Sequence, residues 1–322
     1  MPTKDRIRLA VIGCGGRGRY HLERLSGFAD VELVAVADAS SAACAAVADQ
    51  YNISRQFADL AAVLDAIELD AVVLATPAHL NADVAAISLG AGIDTLMEKP
   101  PGLHSAQTRH LRDLAAASGA RCMVAWDRRF NPWIVAARAA VEARGPVLQL
   151  VGEFHKPTQT IIDPRFPEEL RDNMLLETPI HAIDIVRALA GGKVTHVHSI
   201  VRRATGAYKD VHAALVAFDN GCVAQLTHNY TAGGRLERYE LHGDGVSAYL
   251  EGVDGGQLQL VNEDPAPIQP DAPDAATTQA RYFVDCIRGV GPVALPAADL
   301  NEAVLTMELC EAILAGLVES KG

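Results

Sequence analysis

Gly13-Cys14-Gly15-Gly16-Arg17-Gly18 has the spacing GxGxxG, and Asp38 stands about 20 residues beyond its last glycine. The chemistry suited to this arrangement is dinucleotide binding. A glycine at 13 permits a tight turn. One at 15 lets the backbone approach a pyrophosphate, and one at 18 lets a helix pack closely on a strand. The helix that follows offers unpaired N–H groups and a partial positive charge to the phosphates. Asp38 would accept hydrogen bonds from the adenosine ribose hydroxyls, and its charge would repel a 2′-phosphate. Ala39 and Ser40 follow, so no Arg or Lys stands beside it to receive that phosphate. The expected cofactor is NAD, in preference to NADP. The competing readings are a tight turn without a ligand and an exposed Asp that caps the next helix.

Two further sets of residues suit proton handling. Lys99 closes a short apolar stretch and precedes Pro100-Pro101, which restrict it to an extended conformation. Ligands bind at the carboxyl ends of parallel strands. An ammonium held there stabilises negative charge on a substrate oxygen. Its plain alternative is a surface lysine. Glu177, His181 and Asp184 are spaced i, i+4, i+7 and share a face if one helix carries them. Thr178-Pro179 gives a second reading, an N-cap followed by a first-turn proline. Glu177 then lies just outside the helix, and the helix dipole favours a neutral His181 able to accept a proton. The alternative for His181 is a structural role, satisfied by Asp184 or a carbonyl. His196-Val197-His198 reads as plain strand, since no further metal ligands match it in spacing. His155, His228 and Tyr230 suit a substrate pocket, a core or a dimer face equally. Trp126, Arg128 and Arg129 follow the last strand of the N-terminal half.

The elements that must position these residues change character along the chain. Up to about residue 125, short apolar strands alternate with helices, the pattern of a parallel sheet covered on both faces. After Asn131-Pro132 come a helix, a strand, an irregular stretch from Lys156 to Glu168 and a helix to about Ala190. Strands with Gly, Asn and Asp turns then run from Val194 to Glu251. A loop at Asn262–Pro273 and two helices complete it. The expected fold class is α/β: a Rossmann domain at 1–125 and, at 126–322, an α+β substrate and oligomerisation domain with a large, mainly antiparallel sheet.

Length and charge narrow the function. The 322 residues exceed a single core. The formal net charge of −12, with no Lys/Arg-rich run, argues against nucleic acid and anionic membranes as partners. No apolar segment has signal or spanning length. None of the six cysteines forms a CxxC pair, which fits reduced thiols in the cytoplasm. The sheet has more faces than the remaining helices cover, so a homodimer or homotetramer is expected.

At Met97-Glu98-Lys99-Pro100 the chain resembles the Gfo/Idh/MocA oxidoreductase family. The resemblance spans the chain: the glycine motif, Thr76-Pro77 after a strand, EKP at 98–100, Arg129-Phe130-Asn131-Pro132, and HxxD at His181-Ala182-Ile183-Asp184. It implies an NAD(P)-dependent enzyme acting on a CH–OH group of a sugar, cyclitol or related polyol. Lys99 matches the active-site lysine, His181 the proton-transfer histidine and Asp184 the acid of HxxD. Glu177 stands where an Asp is common. The cofactor would lie against Gly13, Gly15, Gly16, Arg17, Gly18, Asp38, Thr76, Pro77, Glu98 and Lys99. Asn81 replaces a common His, and Asp127 a common Asn. Lys99 and His181 would handle the hydroxyl proton, with Glu177 or Asp184 orienting them. The rival functions are a non-redox enzyme using NAD for transient oxidation and a ligand sensor or repressor on the same fold.

Overall fold

The computed structural model describes residues 6–163 and 166–318. It divides into two compact units, Met1–Asp127 with Ala275–Val304, and Arg128–Asp274 with Leu305–Gly322. The first unit begins β1 Ile7–Ile12, α1 Gly16–Leu25, β2 Val31–Ala37, α2 Ser41–Tyr51, β3 Gln56–Phe57 and α3 Leu60–Ala66. It continues β4 Ala71–Leu74, α4 Asn81–Gly90, β5 Asp94–Met97, α5 Ser105–Ser118 and β6 Cys122–Val124. The strands pair in parallel in the order β3-β2-β1-β4-β5-β6. That is the doubly wound order whose ligand crevice lies at the carboxyl ends of the strands. β4 and β5 are buried throughout, as strands covered on both faces must be. Local chemistry sets the helix ends. Ser40 Oγ accepts from Ala43 N at the start of α2, and Asp59 from Ala62 N at the start of α3. Gly119 ends α5 in the left-handed region.

The second unit comprises α6 Pro132–Glu142, β7 Gln149–His155, α7 Glu168–Arg171 and α8 Ile180–Ala190, followed by the strands of its sheet. These are β8 Val194–Arg202, β9 Val211–Phe218, β10 Val223–Asn229, β11 Leu236–Gly243, β12 Val246–Glu251, β13 Gly256–Leu260 and β14 Ala266–Pro267. The sheet order is β14-β13-β12-β11-β7-β10-β9-β8. All pairings are antiparallel except β7 with β10. One face buries Leu150, Phe154, Leu226, Tyr239 and Leu241. α8 lies close over it at Gly152, where a Cβ would meet Val186 Cγ2 at 2.8 Å. The other face leaves Ile200, Leu215 and Val223 exposed.

Two features depart from the expected layout. The first is the helix to Ala190. It is broken into α7, a 3-10 turn at Met174–Leu176, and α8, which starts only after Pro179. Proline has no N–H to continue a helix and restricts the residue before it. Residues 164 and 165 of the preceding irregular stretch lie outside the described residues. The second concerns α9 Ala275–Ile287 and α10 Leu300–Leu314. α9 and the first residues of α10 belong to the first unit rather than to a continuous C-terminal domain. α9 packs on α1, buries Ala276, Ala280, Phe283 and Val284, and pairs Arg281 with Asp30 at 2.8 and 3.0 Å. Among the described residues no helix is long and apolar enough to cross a membrane. All six cysteines are buried and unbridged.

Candidate active site

The glycine turn leaves β1 at Ile12. Gly13 has φ +100°, and a Cβ there would fall 2.4 Å from the Ala75 carbonyl oxygen. A Cβ on Gly18 would fall 1.8 Å from the Gly13 oxygen. These two glycines are demanded by the chain's own packing. At Gly15 and Gly16 a Cβ would meet nothing within 4 Å, so the space beside the turn is open. Gly15 caps α1 without a side-chain hydrogen bond, and the first turn contains no acid. Open space against bare helical N–H groups fits a pyrophosphate. Asp38, just after β2, is half-buried. Its Oδ2 accepts from Cys14 N at 2.7 Å and its Oδ1 from Ser40 N at 2.8 Å. A carboxylate has about four lone-pair positions, so each oxygen keeps one for a ribose hydroxyl. Thr76 is half-buried and Pro77 exposed, both in the loop after β4.

Lys99 follows β5 and is half-buried. The backbone around it is held by side chains. Asn81, at the start of α4, gives Nδ2 to the carbonyls of Glu98 (3.1 Å) and Pro100 (2.9 Å), and accepts from Thr76 Oγ1 (2.7 Å). The Glu98 carboxylate, expected beside the cofactor, is turned into the first unit and is only 3% exposed. Its Oε1 receives Arg17 Nε at 2.6 Å, Arg17 Nη2 at 2.6 Å and His21 Nε2 at 2.9 Å. Its Oε2 receives the Lys99 N–H at 3.3 Å. Arg17, likewise expected at the cofactor, gives its guanidinium to this carboxylate and covers the Tyr20 ring at 4.1 Å. Burial pushes the Glu98 carboxyl up, but the hydrogen bond from His21 and the charge of Arg17 outweigh it and hold it down at about 2. The folded value lies below the ordinary 4.5, so this stabilisation is complete above that value and is lost as pH falls toward 2. Tyr20 also donates to Asp127 Oδ2 at 3.4 Å, and burial, with the Asp127 charge, pushes its phenol up to about 12.

In the second unit, Glu177 sits outside α8 and His181 in its first turn, as the proline reading expects. The His181 N–H donates to the Thr178 carbonyl at 3.0 Å. Glu177 Oε2 accepts from Lys156 Nζ at 3.1 Å and from the Thr178 hydroxyl, and Lys156 Nζ lies 2.6 Å from Thr178 Oγ1. Asp184 does not share this neighbourhood. It is fully buried, and its oxygens receive Arg129 Nε and Nη2 at 2.7 Å each and Thr306 Oγ1 at 2.8 Å. The Asp184 carboxylate is therefore taken up by Arg129 and Thr306. His228 and Tyr230 are core residues. Tyr230 donates to the Met174 carbonyl at 2.9 Å. His228 faces His212 across β10 and β9. Burial pushes both imidazoles down, His212 to about 4, and keeps them neutral. His155 lies on the opposite face, 3.9 Å from Glu153. Arg128 is engaged with Glu237 at 2.8 Å. Sequence reasoning missed His21, Lys156 and the part played by Asn81. The i, i+4 spacing of Arg17 and His21 was the one available signal.

Residues 7–126 match the model of an oxidoreductase family with an NAD-binding Rossmann fold, Gfo/Idh/MocA, and residues 134–249 match its C-terminal domain. An inositol 2-dehydrogenase of Rhizobium meliloti is 30% identical over 74% of this chain and 73% of its own. The chain belongs to the Gfo/Idh/MocA oxidoreductase family. A D-apiose dehydrogenase of Paraburkholderia graminis is 25% identical over 96% of this chain and 87% of its own. A solved UDP-N-acetylglucosamine 3-dehydrogenase of Acidithiobacillus ferrooxidans has the same fold. Its TM-score is 0.84 at 22% identity, over 97% of this chain and 98% of its own. The protein is thus an NAD-linked oxidoreductase of this family, with the expected Rossmann sheet and mainly antiparallel second sheet.

Two predictions follow from the packing. Gly15→Ala should weaken NAD binding tenfold or more by fluorescence titration while leaving the melting temperature unchanged. Gly18→Ala should lower the melting temperature itself. Equal loss of stability in both would refute the division of roles. Asp184→Asn leaves the buried Arg129 guanidinium short of its countercharge. It should cost about 3–5 kcal/mol in urea denaturation, as broken buried ion pairs do, with NAD affinity kept. Wild-type stability would show the pair to be dispensable.

Proposed function

We propose that the protein transfers a hydride between NAD(H) and a carbinol or carbonyl carbon of a sugar, cyclitol or related polyol. The observation that carries this is the pinned backbone around Lys99, in the same unit as a glycine turn with open space for a pyrophosphate. The named relatives support the substrate class, since they act on inositol and apiose. Gly13, Gly15, Gly16, Gly18, Asp38 and the Thr76-Pro77 loop would hold the dinucleotide, which supplies a hydride acceptor or donor at nicotinamide C4. Lys99 donates a hydrogen bond to the reacting oxygen and stabilises its negative charge. His181, in the first turn of α8, takes the hydroxyl proton in the oxidative direction. Glu177, tied to Lys156, orients the groups at the start of that helix. Asp38 with no adjacent cation favours NAD over NADP. The buried unbridged thiols fit a reducing, cytoplasmic setting. The exposed sheet face with Ile200, Leu215 and Val223 fits a homodimer or homotetramer.

The test is a scan of inositols, aldoses and nucleotide sugars for NADH formation with NAD and with NADP. Net NADH with a higher kcat/KM for NAD is expected. Tightly bound cofactor without net NADH would replace this reading by transient oxidation. Lys99→Ala and His181→Ala should each lower kcat by about 10²–10⁴-fold and keep the Kd for NAD. Near-wild-type kcat in both would show that the assigned residues are wrong.

Assembly is tested separately. Light scattering at micromolar concentration should give a dimer or tetramer, and Leu215→Arg should shift it toward monomer. A monomeric wild type refutes the interface.

A further inference from the structure

We propose that His21 is a positioning residue for the reaction, acting on Lys99 through the Glu98 carboxylate. The proposal rests on the reading of Lys99 as the group that meets the reacting oxygen. His21 lies four residues after Arg17 on α1 and is 3% exposed. An ionised carboxylate only accepts hydrogen bonds, so the Nε2 facing Glu98 carries the proton. Arg17, the other donor to the same oxygen, has a side chain 41% exposed and approaches from the side nearer solvent. Water does not reach the buried side of Glu98, where His21 stands. His21 is therefore the donor on the buried side that keeps the carboxylate turned inward, and with Arg17 it keeps the carboxylate ionised.

The consequence for Lys99 follows from adjacency. With Oε1 fixed by His21 and Arg17, Oε2 is aimed at the Lys99 N–H. Asn81 fixes the carbonyls before and after Lys99. The lysine backbone thus has three restraints, and one of them exists only while Glu98 is held. Losing the His21 donor leaves a buried carboxylate to rotate toward Arg17 or take up a proton. Rotation releases the Lys99 N–H, and protonation removes the negative charge beside the ammonium. A small displacement of a group that must meet a reacting oxygen costs rate more than it costs binding of a ligand held elsewhere. The same carboxylate grips the first turn of α1, whose start faces the open space at Gly15 and Gly16. Arg17 keeps that grip when His21 is replaced, so the start of α1 stays in place.

The experiment uses the full chain and compares His21→Leu, which removes the donor, with His21→Gln, which restores one at similar reach. His21→Phe, which keeps the ring, stands in if His21→Leu does not fold. With the substrate found in the scan, His21→Leu should lower kcat by about 10- to 100-fold, with the Kd for NAD within about twofold of wild type. His21→Gln should recover most of the loss. The effect should be non-additive with Lys99→Ala. A second measurement needs no substrate. In NMR of reductively 13C-methylated protein, the Lys99 resonance is the one absent from Lys99→Ala, and its titration midpoint should move in His21→Leu and return in His21→Gln. An unmoved midpoint with unchanged kcat overturns the proposal. So does a loss that His21→Gln fails to recover. If Lys99→Ala itself turns over normally, the reading of Lys99 falls; if it is inactive while His21→Leu is normal, only the role of His21 falls.

Discussion

A carboxylate almost out of contact with water must have its lone pairs met by protein donors, or it will not stay ionised. Glu98 meets this condition at the carboxyl end of β5 with donors from Arg17 and His21 on α1, the helix after β1, two strands away in the sheet order. The burial of that one charge fixes several things together. It decides which way α1 is rotated about its axis, because Arg17 and His21 must share the face toward β5. It sets the direction of the chain as it leaves β5 into Lys99 and Pro100. It also explains why Asn81 is fully buried, since the two carbonyls flanking Lys99 need a donor where the sheet ladder has ended.

The second unit repeats the logic with a different pair. Arg129 and Asp184 are both buried, joined by two short parallel hydrogen bonds, with Thr306 completing the acid's shell. A buried bidentate pair fixes geometry more surely than it adds stability, because desolvation cancels much of its attraction. Here it locks the loop after residue 127 to the middle of α8. His181, one turn earlier, is then placed by the start of that helix. The acid of the HxxD pattern is taken up by Arg129 and Thr306, although its histidine stands only three residues away.

Much of this was legible in the sequence. Strand and helix periods and the glycine spacing point to the first sheet and to the tight turn after β1, because those signals are local. The Thr178-Pro179 pair showed that Glu177 could fall outside the helix. What was illegible depends on partners far along the chain. Glu98 and His21 are 77 positions apart, and no periodicity tells a buried glutamate from one facing a ligand. Asp184 with Arg129 is the same case at 55 positions. β3 has two residues, too few for a pattern. The return of α9 to the first unit rests on its apolar stripe meeting α1, and amphipathicity alone does not say which partner a helix will find.

The three positions that differ from the common family pattern share a property. Asn81 is engaged with Thr76 and two carbonyls, Asp127 receives the Tyr20 hydroxyl, and Glu177 is tied to Lys156 and Thr178. Each departure has a partner within its own unit that uses its particular polar atoms. An amide at 81 supplies two donors to two carbonyls; a single imidazole N–H could serve only one. A carboxylate at 127 accepts from a phenol without presenting a donor to it. The longer side chain at 177 meets a lysine that a shorter acid would approach less closely. These substitutions are thus accommodated by local hydrogen bonding, and they leave the backbone course around Lys99 and the start of α8 under the control of the buried pairs. Differences in substrate choice within this chain are then to be sought in the residues those fixed backbones present, with Lys156 first among them, because it brings a cation beside the acid that precedes His181.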